Sequence, residues 1–249
     1  MLQKGEPKAF YGMDVPAMVR DCTAVGAVLT IQAILLRWWA KKGQYSTFPL
    51  FMVLTGAMTV VGGLSILEGL SIVWDSLFAK LWERDRLLDG LQLRGNEHIL
   101  DVGCGHGLLL VGAAKRLPRG RAVGIDLWSQ IDQGGNSREA TLKNARIEGV
   151  EDRVEVHNGD MRTMPFPDAS FDVVVANLAI HNIEDPEGRA EAAREIRRVL
   201  KPGGRIAIID IFFVKELAEF FRQAGMYDVH VSRPRAVYWP PTRTIIGRK

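Results

Sequence analysis

Several features that mark specialised classes of protein are scarce in this chain. It has 249 residues and only two cysteines, so no disulfide framework is expected. Its formal net charge is +3 and 24% of its residues are charged, a balance that gives no drive towards nucleic acid. No cluster of histidine, aspartate and glutamate has the spacing of a metal site. We therefore expect neither a metal nor a nucleic-acid partner.

Charge is also missing from two long stretches near the N-terminus. Residues 45–67 form an uncharged run of 23, and residues 22–36 form a second run of 15. A helix of about 20 apolar residues crosses a bilayer. We therefore predict an N-terminal hydrophobic helical segment over residues 1–85. It contains two membrane or membrane-embedded helices near residues 20–40 and 46–70, joined by Lys41–Gln44 and followed by a linking helix. Glycines at 56, 62, 63 and 69 fit close helix packing in lipid.

Basic residues indicate which side of the membrane holds the rest of the chain. Three precede the first run (Lys4, Lys8, Arg20), three lie between the runs, and three follow the second (Lys80, Arg84, Arg86). Six basic residues therefore flank the pair of helices, against three between them. This excess predicts that both ends face the cytoplasm, so the protein is expected to be membrane-associated with a cytoplasmic catalytic domain. The alternative is a cytoplasmic protein in which this segment is a soluble helical cap or an interface between identical subunits.

Residues 86–249 have a different pattern, in which short apolar strands alternate with amphipathic helices. Strands are predicted at 99–102, 123–126, 154–160, 171–177, 205–210, 229–232 and 243–247, and helices at 108–117, 137–149, 187–200 and 214–224. This order predicts an α/β fold, a Rossmann-like seven-stranded sheet with helices on both faces and the last pair of strands antiparallel.

The most informative motif lies in His98–Leu110, where a buried strand ends in a glycine-rich turn before a helix. Glycines at 103, 105 and 107 allow a ligand to lie against bare backbone amides at a helix N-terminus. The spacing differs from the dinucleotide-binding pattern, in which the third glycine follows the second by three residues. Instead Asp101 precedes the turn, where a carboxylate suits a cationic nucleoside that bears an amino acid.

Two further acids follow at the ends of later strands. Asp126 lies 19 residues after Gly107, the spacing at which an acidic side chain binds ribose hydroxyls. Asp160 ends the third strand. The alternative for both is a helix cap or a turn acid.

Together, four motifs in this order resemble the class I S-adenosylmethionine-dependent methyltransferases, in particular small-molecule enzymes of the ubiquinone/menaquinone methyltransferase type. The motifs are Asp101–Gly107, Gly124–Leu127, Gly159–Phe166 and Leu200–Gly204. The resemblance implies S-adenosyl-L-methionine as the cofactor, S-adenosyl-L-homocysteine as its product, and methyl transfer to an O, N, S or C atom of a small acceptor. An N-terminal segment that lies partly in lipid would favour an apolar acceptor. A nicotinamide-dependent reductase would share only the first two motifs.

The resemblance also implies roles for individual residues. The methionine part of the cofactor would be held by Asp101, Gly103, Cys104, Gly105, His106 and Gly107, the ribose by Asp126, and the adenine by Leu127, Trp128, Asp160 and Met161, with Asn177 beside the sulfonium. Alternatives exist for some of them, since Cys104 also reads as a packed thiol and Trp128 as a core or surface aromatic. The polar loop 129–137 would touch the cofactor through Asn136 or, as we favour, cap the helix that begins near Ser137.

Methyl transfer from a sulfonium needs a base only when the acceptor arrives protonated. His181, just after the fourth strand, is the best-placed candidate because a neutral imidazole can take a proton near pH 7. The alternative is a histidine that only hydrogen-bonds a loop.

A helix follows Asp210 almost at once, so the chain between them has no room for further helices that cover a substrate. The N-terminal segment, including Tyr11–Met13, is therefore expected to cover the site. A second class of function stays open, a membrane-tethered S-adenosylmethionine-binding sensor or assembly factor without catalysis.

Overall fold

The computed structural model describes residues 8–42, 49–131, 133–237 and 240–249. It divides into two compact units, one spanning Met13–Leu77 and the other combining the chain up to Gly12 with Phe78–Lys249. The boundary predicted between residues 85 and 86 lies within the larger unit. Some residues named above lie outside the described ranges. They are Lys4, which precedes the first run, Gly43 and Gln44 of the predicted connection, and Asp132 of the predicted polar loop.

The smaller unit is a pair of long helices, α1 (Pro16–Lys42) and α2 (Pro49–Trp74). Small buried residues recur every seven positions on both: Gly26, Ala33 and Ala40 on α1, and Thr55, Gly62 and Gly69 on α2. A Cβ added at Gly26 would lie 2.6 Å from the carbonyl oxygen of Gly62, so the two backbones nearly touch. The neighbouring Gly63 has no atom of another segment within 4 Å of such a Cβ, so it lies outside this contact.

Large apolar side chains cover the rest of this helix pair. The exposed ones are Met18, Val25, Val28, Ile31, Ile34, Leu35, Leu36, Trp38 and Trp39 on α1, and Leu50, Met52, Val53, Leu54, Val60, Val61, Leu64, Leu67, Leu70 and Trp74 on α2. Both helices are long and apolar enough to cross a membrane, a criterion that some helices of soluble proteins also meet. Only 11% of each apolar window is buried, whereas the core helix of a soluble protein is mostly buried.

The larger unit is built on one seven-stranded sheet. Its strands are β1 (His98–Val102), β2 (Arg121–Asp126), β3 (Val154–Asn158), β4 (Phe171–Asn177), β5 (Leu200–Asp210), β6 (Tyr227–Val231) and β7 (Arg243–Arg248), in the spatial order β3-β2-β1-β4-β5-β7-β6. The first five strands are parallel, and β7 pairs antiparallel with both β5 and β6. The predicted fold class is confirmed.

Helices cover this sheet on two faces. They are α3 (Lys80–Gly90), which follows a π-helical turn at Asp75–Ala79, then α4 (Leu108–Ala114), α5 (Arg138–Ile147), α6 (Pro186–Val199) and α7 (Val214–Gln223). Helices α4 to α7 each end one to three residues earlier than their sequence patterns predicted, whereas α3 continues beyond the predicted boundary at residue 85. The oxygen of the Ser137 side chain caps α5, and Asp185 caps α6 just before Pro186.

Alternation along the strands sends side chains into two separate cores. On β1, Leu100 and Val102 belong to the core on one face, and Ile99 belongs to the core on the other. Burial on both faces explains why the central strands read as continuous apolar runs. The carboxyl ends of β1 to β5 meet at one edge, where open α/β sheets bind their ligands.

Candidate active site

The glycine turn after β1 forms the floor of the site. Gly103, Gly105 and Gly107 all have positive φ, of 70°, 50° and 85°. A Cβ added at Gly103 would overlap the side chain of Ala179, and one added at Gly105 would lie 2.5 Å from Oε1 of Gln133. Only glycine allows the chain to pass so close to its neighbours in this conformation. The turn therefore has bare backbone where the sequence predicted a cofactor cradle.

Asp126, at the end of β2, is tied into this turn. Its Oδ2 accepts a hydrogen bond from the backbone N–H of Gly105 at 2.8 Å. Its Oδ1 accepts from the backbone N–H of Trp128 at 2.6 Å and from Nδ2 of Asn136 at 3.2 Å. Asp126 is only half-buried, so its carboxylate remains accessible at the edge of the sheet. Asn136 thus donates to Asp126, the acid predicted to bind ribose, while Ser137 provides the predicted helix cap.

The two residues after Asp126 differ in exposure. The side chain of Leu127 is 64% exposed, as a residue facing a ligand site would be. Trp128 is half-buried with φ of 60°, and its Nε1–H donates to Oδ1 of Asn158 at 2.6 Å. Its ring packs against the core that contains α4. Both roles considered for Trp128, a core aromatic and an adenine contact, remain compatible with this position.

Asp101 and Cys104 are the buried polar groups beneath the turn. Oδ2 of Asp101 accepts a hydrogen bond from the backbone N–H of Leu110 at 2.8 Å, which satisfies a donor in the first turn of α4. Burial, opposed by that bond and reinforced by the charge of Asp126, raises the pKa of Asp101 to about 8. Burial likewise raises the pKa of the Cys104 thiol well above its ordinary value. Cys104 is therefore a protonated, packed thiol rather than a nucleophile.

Asp160 and Met161 follow β3 at the same edge. Arg162 donates to the Asp160 carboxylate through its backbone N–H and its guanidinium, the shortest contact being 2.6 Å from Nη2 to Oδ2. These bonds hold the pKa of Asp160 below its usual range, so it is a carboxylate at neutral pH. The Cε of Met161 would be 3.6 Å from a Cβ at Gly103. Met161 therefore reaches the glycine turn.

Asn177 ends β4, and His181 lies in the short 3-10 helix just beyond it. The Nδ1 of His181 is 2.5 Å from Oδ1 of Asp210, the last residue of β5. Asp210 is completely buried, and its carboxylate also accepts from the backbone N–H groups of His181 (3.2 Å) and Ile211 (2.8 Å). The ring of Phe212 meets that of His181 edge-on, with centroids 5.8 Å apart.

Sequence reasoning missed Asp210 as a site residue. The signal was available, because Asp210 is an acid at the carboxyl end of a parallel strand, the same position that singled out Asp126. It also missed three polar side chains that hold the glycine turn from outside: Gln133, Thr141 and Asn144. Nothing in their local sequence marks them, because their partners are backbone groups of the distant turn. Within the described ranges, no group of three histidine, cysteine, aspartate or glutamate residues is suited to a metal ion.

A family model described as a methyltransferase domain matches residues 100–208, which run from β1 into β5 and include the turn, Asp126 and Asp160. Residues 100–208 carry a methyltransferase domain. The predicted resemblance is confirmed, and the match implies S-adenosylmethionine as the cofactor and S-adenosylhomocysteine as its product.

Curated relatives include methyltransferases named for small molecules. The 27-O-demethylrifamycin SV methyltransferase of Amycolatopsis mediterranei is 36% identical over 149 residues, which cover 57% of this chain and 50% of that protein. The demethylmenaquinone methyltransferase of Staphylococcus aureus is 32% identical over 132 residues, covering 53% of this chain and 49% of that protein. The chain therefore spans about half the length of these relatives.

Solved structures share the fold. A SAM-dependent methyltransferase from Aquifex aeolicus aligns with a TM-score of 0.55 at 20% identity, covering 74% of this chain and 97% of that one. Similarity at this level of identity concerns the fold alone. It agrees with the strand order and the position of the methyltransferase domain in the larger unit.

Proposed function

We propose that this protein is an enzyme that transfers a methyl group from S-adenosylmethionine to a small, apolar acceptor whose reacting atom arrives protonated, such as a phenol or another hydroxyl. The observation that carries the proposal is the contact between His181 and Asp210 at the carboxyl edge of the sheet. A methyltransferase whose acceptor is already a strong nucleophile has no need of such a pair.

The residues around the glycine turn fit the cofactor. The turn lies directly before α4, and positions 103 and 105 have no room for a side chain. We assign the methionine part to Asp101 and the turn Gly103–Gly107, and the ribose hydroxyls to Asp126. Leu127, Trp128, Asp160 and Met161 are assigned to the adenine, and Asn177 to the neighbourhood of the sulfonium. Arg162 would keep Asp160 ionised, and thus able to accept from the adenine amino group.

The His181–Asp210 pair supplies a directed base. An ionised carboxylate can only accept, so Nδ1 of His181 carries the proton in this contact and Nε2 has the free lone pair. Nε2 takes the hydroxyl proton of the acceptor as its oxygen bonds to the methyl carbon. S-adenosylmethionine, when bound, supplies a methyl group on a positively charged sulfur that leaves as a neutral thioether. In-line positioning then accounts for much of the remaining rate.

Two aromatic rings beside His181 indicate an apolar acceptor. Phe212 contacts the His181 ring and Phe213 contacts Phe212. The two phenylalanines are 50% and 48% exposed, so both present apolar surface to solvent. The Arg189 guanidinium carbon lies 3.9 Å from the centroid of the Phe213 ring, which fixes one face of that ring. A shallow surface depression beside Phe213 is lined by Ile211 and Val214 and by the charged side chains of Lys215, Glu216 and Arg243.

The helix pair α1–α2 supports the further proposal that the protein is anchored in a membrane, with the methyltransferase domain in the cytoplasm. Its small residues are used for contact between the two helices, and its large apolar residues are exposed. Such an arrangement is typical of helices packed in lipid. An apolar acceptor could then be supplied from the bilayer.

The decisive experiment is a screen of acceptors with S-[methyl-³H]adenosylmethionine and the full chain in detergent. Phenols, other hydroxyl compounds, thiols and amines of matched apolarity form the panel. We expect label transfer to a hydroxyl compound, lost in His181→Gln and kept in His157→Gln, a histidine on β3 that pairs with Glu155 at the surface. Transfer only to an amine, or transfer unaffected by His181→Gln, would refute the base assignment. Cofactor binding with no transfer to any acceptor would favour the sensor or assembly factor.

Membrane association has its own test. The protein mixed with phospholipid vesicles should float with them in a density gradient and resist extraction at alkaline pH. A full chain that remains at the bottom of the gradient as a monodisperse species would instead support the soluble cap or subunit interface.

A further inference from the structure

Three residues near the N-terminus, Phe10–Gly12, lie against the methyltransferase domain rather than with the helix pair. We call this segment the strap. Its central residue, Tyr11, is 5% exposed and belongs to the core that contains α4. The hydroxyl of Tyr11 approaches Oε1 of Glu148 at 3.4 Å, and the Arg84 guanidinium carbon lies 5.7 Å from its ring centroid. The strap is thus a fixed part of the folded domain.

Asn144 of α5 joins the strap to the glycine turn. Its Oδ1 accepts from the backbone N–H of Phe10 at 3.1 Å, and its Nδ2 donates to the carbonyl of Phe10 at 2.8 Å. The same Nδ2 donates to the carbonyl of His106 at 3.0 Å. One buried carboxamide therefore holds both backbone groups of Phe10 and one backbone group of the turn.

Gln133 forms a second bridge on the other side of His106. Its Oε1 accepts a hydrogen bond from the backbone N–H of His106 at 3.2 Å, and its Nε2 donates to the carbonyl of Tyr11 at 3.2 Å. The two carboxamides together engage both the N–H and the C=O of His106. Each of them also engages the strap. The central peptide of the glycine turn is therefore positioned from the strap.

Gly12 and Lys80 complete the attachment. A Cβ at Gly12 would lie 2.8 Å from Cδ2 of His106 and 2.9 Å from Cγ of Gln133, and its φ of 79° is unfavourable for any other residue. The buried ammonium of Lys80 donates to the carbonyls of Tyr11 (2.9 Å) and Gly12 (2.5 Å). The strap is consequently held from α3 on one side and from the turn on the other.

We propose that the strap is an essential positioning element of the cofactor site: by way of Asn144 and Gln133 it fixes the peptide of His106 in the conformation that receives S-adenosylmethionine. A glycine turn has more backbone freedom than any other segment, and a ligand that must order it loses affinity. The strap removes that loss in advance. The inference rests on the cofactor site assigned above and is independent of the acceptor.

The test compares two glycines with the same backbone conformation. Gly12→Ala places a methyl group against His106, whereas Gly203→Ala introduces the same left-handed strain (φ of 77° against 79°) at a position with nothing within 4 Å. Gly203 lies near the start of β5, at the amino edge of the sheet and away from the turn. Binding of S-adenosylhomocysteine to each full-length variant is measured by calorimetry in detergent, with hydrogen exchange of residues 103–107 and thermal unfolding followed in parallel.

We expect at least about tenfold weaker binding for Gly12→Ala, the equivalent of about 1.4 kcal/mol, with faster exchange in the turn and an unfolding temperature close to that of Gly203→Ala. Asn144→Asp, which keeps the acceptor and loses both donors, should behave likewise, with Asn96→Asp, an exposed asparagine before β1, as its control. Asp126→Asn reports on the cofactor site itself. Normal binding by Gly12→Ala and Asn144→Asp with weak binding by Asp126→Asn would overturn the strap alone. Normal binding by all three variants would overturn the cofactor site and the strap together.

Discussion

The imidazole of His181 and the carboxylate of Asp210 are in direct contact across two strand ends, Nδ1 to Oδ1 at 2.5 Å. The imidazole is 16% exposed and the carboxylate 1% exposed, so one member faces the site and the other orients it from within. Three donors converge on Asp210, two of them backbone N–H groups. Such a set fixes the position of the carboxylate and one ring orientation of the histidine.

His181→Gln should lower kcat by about 10²- to 10⁴-fold, because a general base contributes on that scale. The dissociation constant of S-adenosylhomocysteine should stay unchanged, because His181 is assigned to the acceptor. Both quantities are measured with the acceptor found in the screen, and His157→Gln is the control. Equal losses of cofactor binding and turnover would instead place His181 in the cofactor site.

Asp210→Asn should reduce kcat and also stability. An asparagine offers one acceptor to the donors that Asp210 satisfies, and an unsatisfied buried donor costs about 1–3 kcal/mol. The pH dependence of kcat separates the two effects, because a change in the base alters the profile whereas destabilisation alone does not. An unaltered profile with a lower unfolding temperature would mean that Asp210 is only structural.

The raised pKa of Asp101 predicts that the folded domain becomes less stable as pH rises. Its pKa is about 8 in the folded protein and about 4 in an unfolded chain, so the folded state binds the extra proton between these values. The resulting stabilisation is complete below pH 4 and is lost as pH rises to about 8. Asp101→Asn, which keeps an acceptor for Leu110, should lack this trend. The unfolding temperature of both proteins from pH 5 to pH 9 measures the difference, and parallel curves would contradict the prediction.

Adjacent glycines in α2 test the contact between the two long helices. A methyl group at Gly62 would lie 2.5 Å from Oγ1 of Thr30, whereas one at Gly63 meets nothing within 4 Å. Gly62→Ala should destabilise the helix pair by about 1–3 kcal/mol through overpacking. Gly63→Ala should be neutral or stabilising by up to about 1 kcal/mol, because alanine favours a helix. Thermal unfolding in detergent, monitored through the accessibility of the Cys22 thiol, distinguishes the two variants. Equal unfolding temperatures would show that the helices do not pack through this surface.

Glu83 provides a contrast between buried and exposed ion pairs. Its 1% exposed carboxylate binds both Arg86 (2.7 Å) and Arg235 (2.8 Å). Glu83→Gln should cost about 1.5–3 kcal/mol, since the neutral amide loses charge-assisted hydrogen bonds to two arginines whose side chains are only partly exposed. Glu187→Gln, which breaks an exposed pair with Arg194, should cost no more than about 1 kcal/mol. Chemical denaturation of both variants measures the difference, and similar losses would contradict the burial argument.

The sequence was sufficient to predict the sheet and its floor because both depend on local patterns. Continuous apolar runs mark β1 and β4, and the glycines at 103, 105 and 107 mark a turn whose positive φ angles favour glycine. The ends of helices were less predictable. The pattern that predicted a helix to Leu117 continues past Ala114, where α4 ends, because the following residues remain apolar or helix-forming.

Long-range contacts explain what the sequence could not reveal. Asn144 lies 134 residues from Phe10 and 38 from His106, and no periodicity links such positions. The partner of His181 is 29 residues away, at the end of another strand, so its identity follows only from the strand order. Parallel neighbours β4 and β5 bring them together, a relation that a pattern of strands does not specify.

The two attachments of Lys80 have a consequence for how the chain is put together. The chain leaves the larger unit after Gly12 and re-enters it at Phe78, and Lys80 bonds directly to Gly12. The helix pair is therefore an insertion whose two ends lie within the reach of one lysine side chain. Replacing residues 13–77 by a short glycine–serine linker should leave a methyltransferase domain that stays in solution without detergent and retains Tyr11 and Gly12. Simple truncation at Phe78 would not, since it discards both residues along with the helix pair.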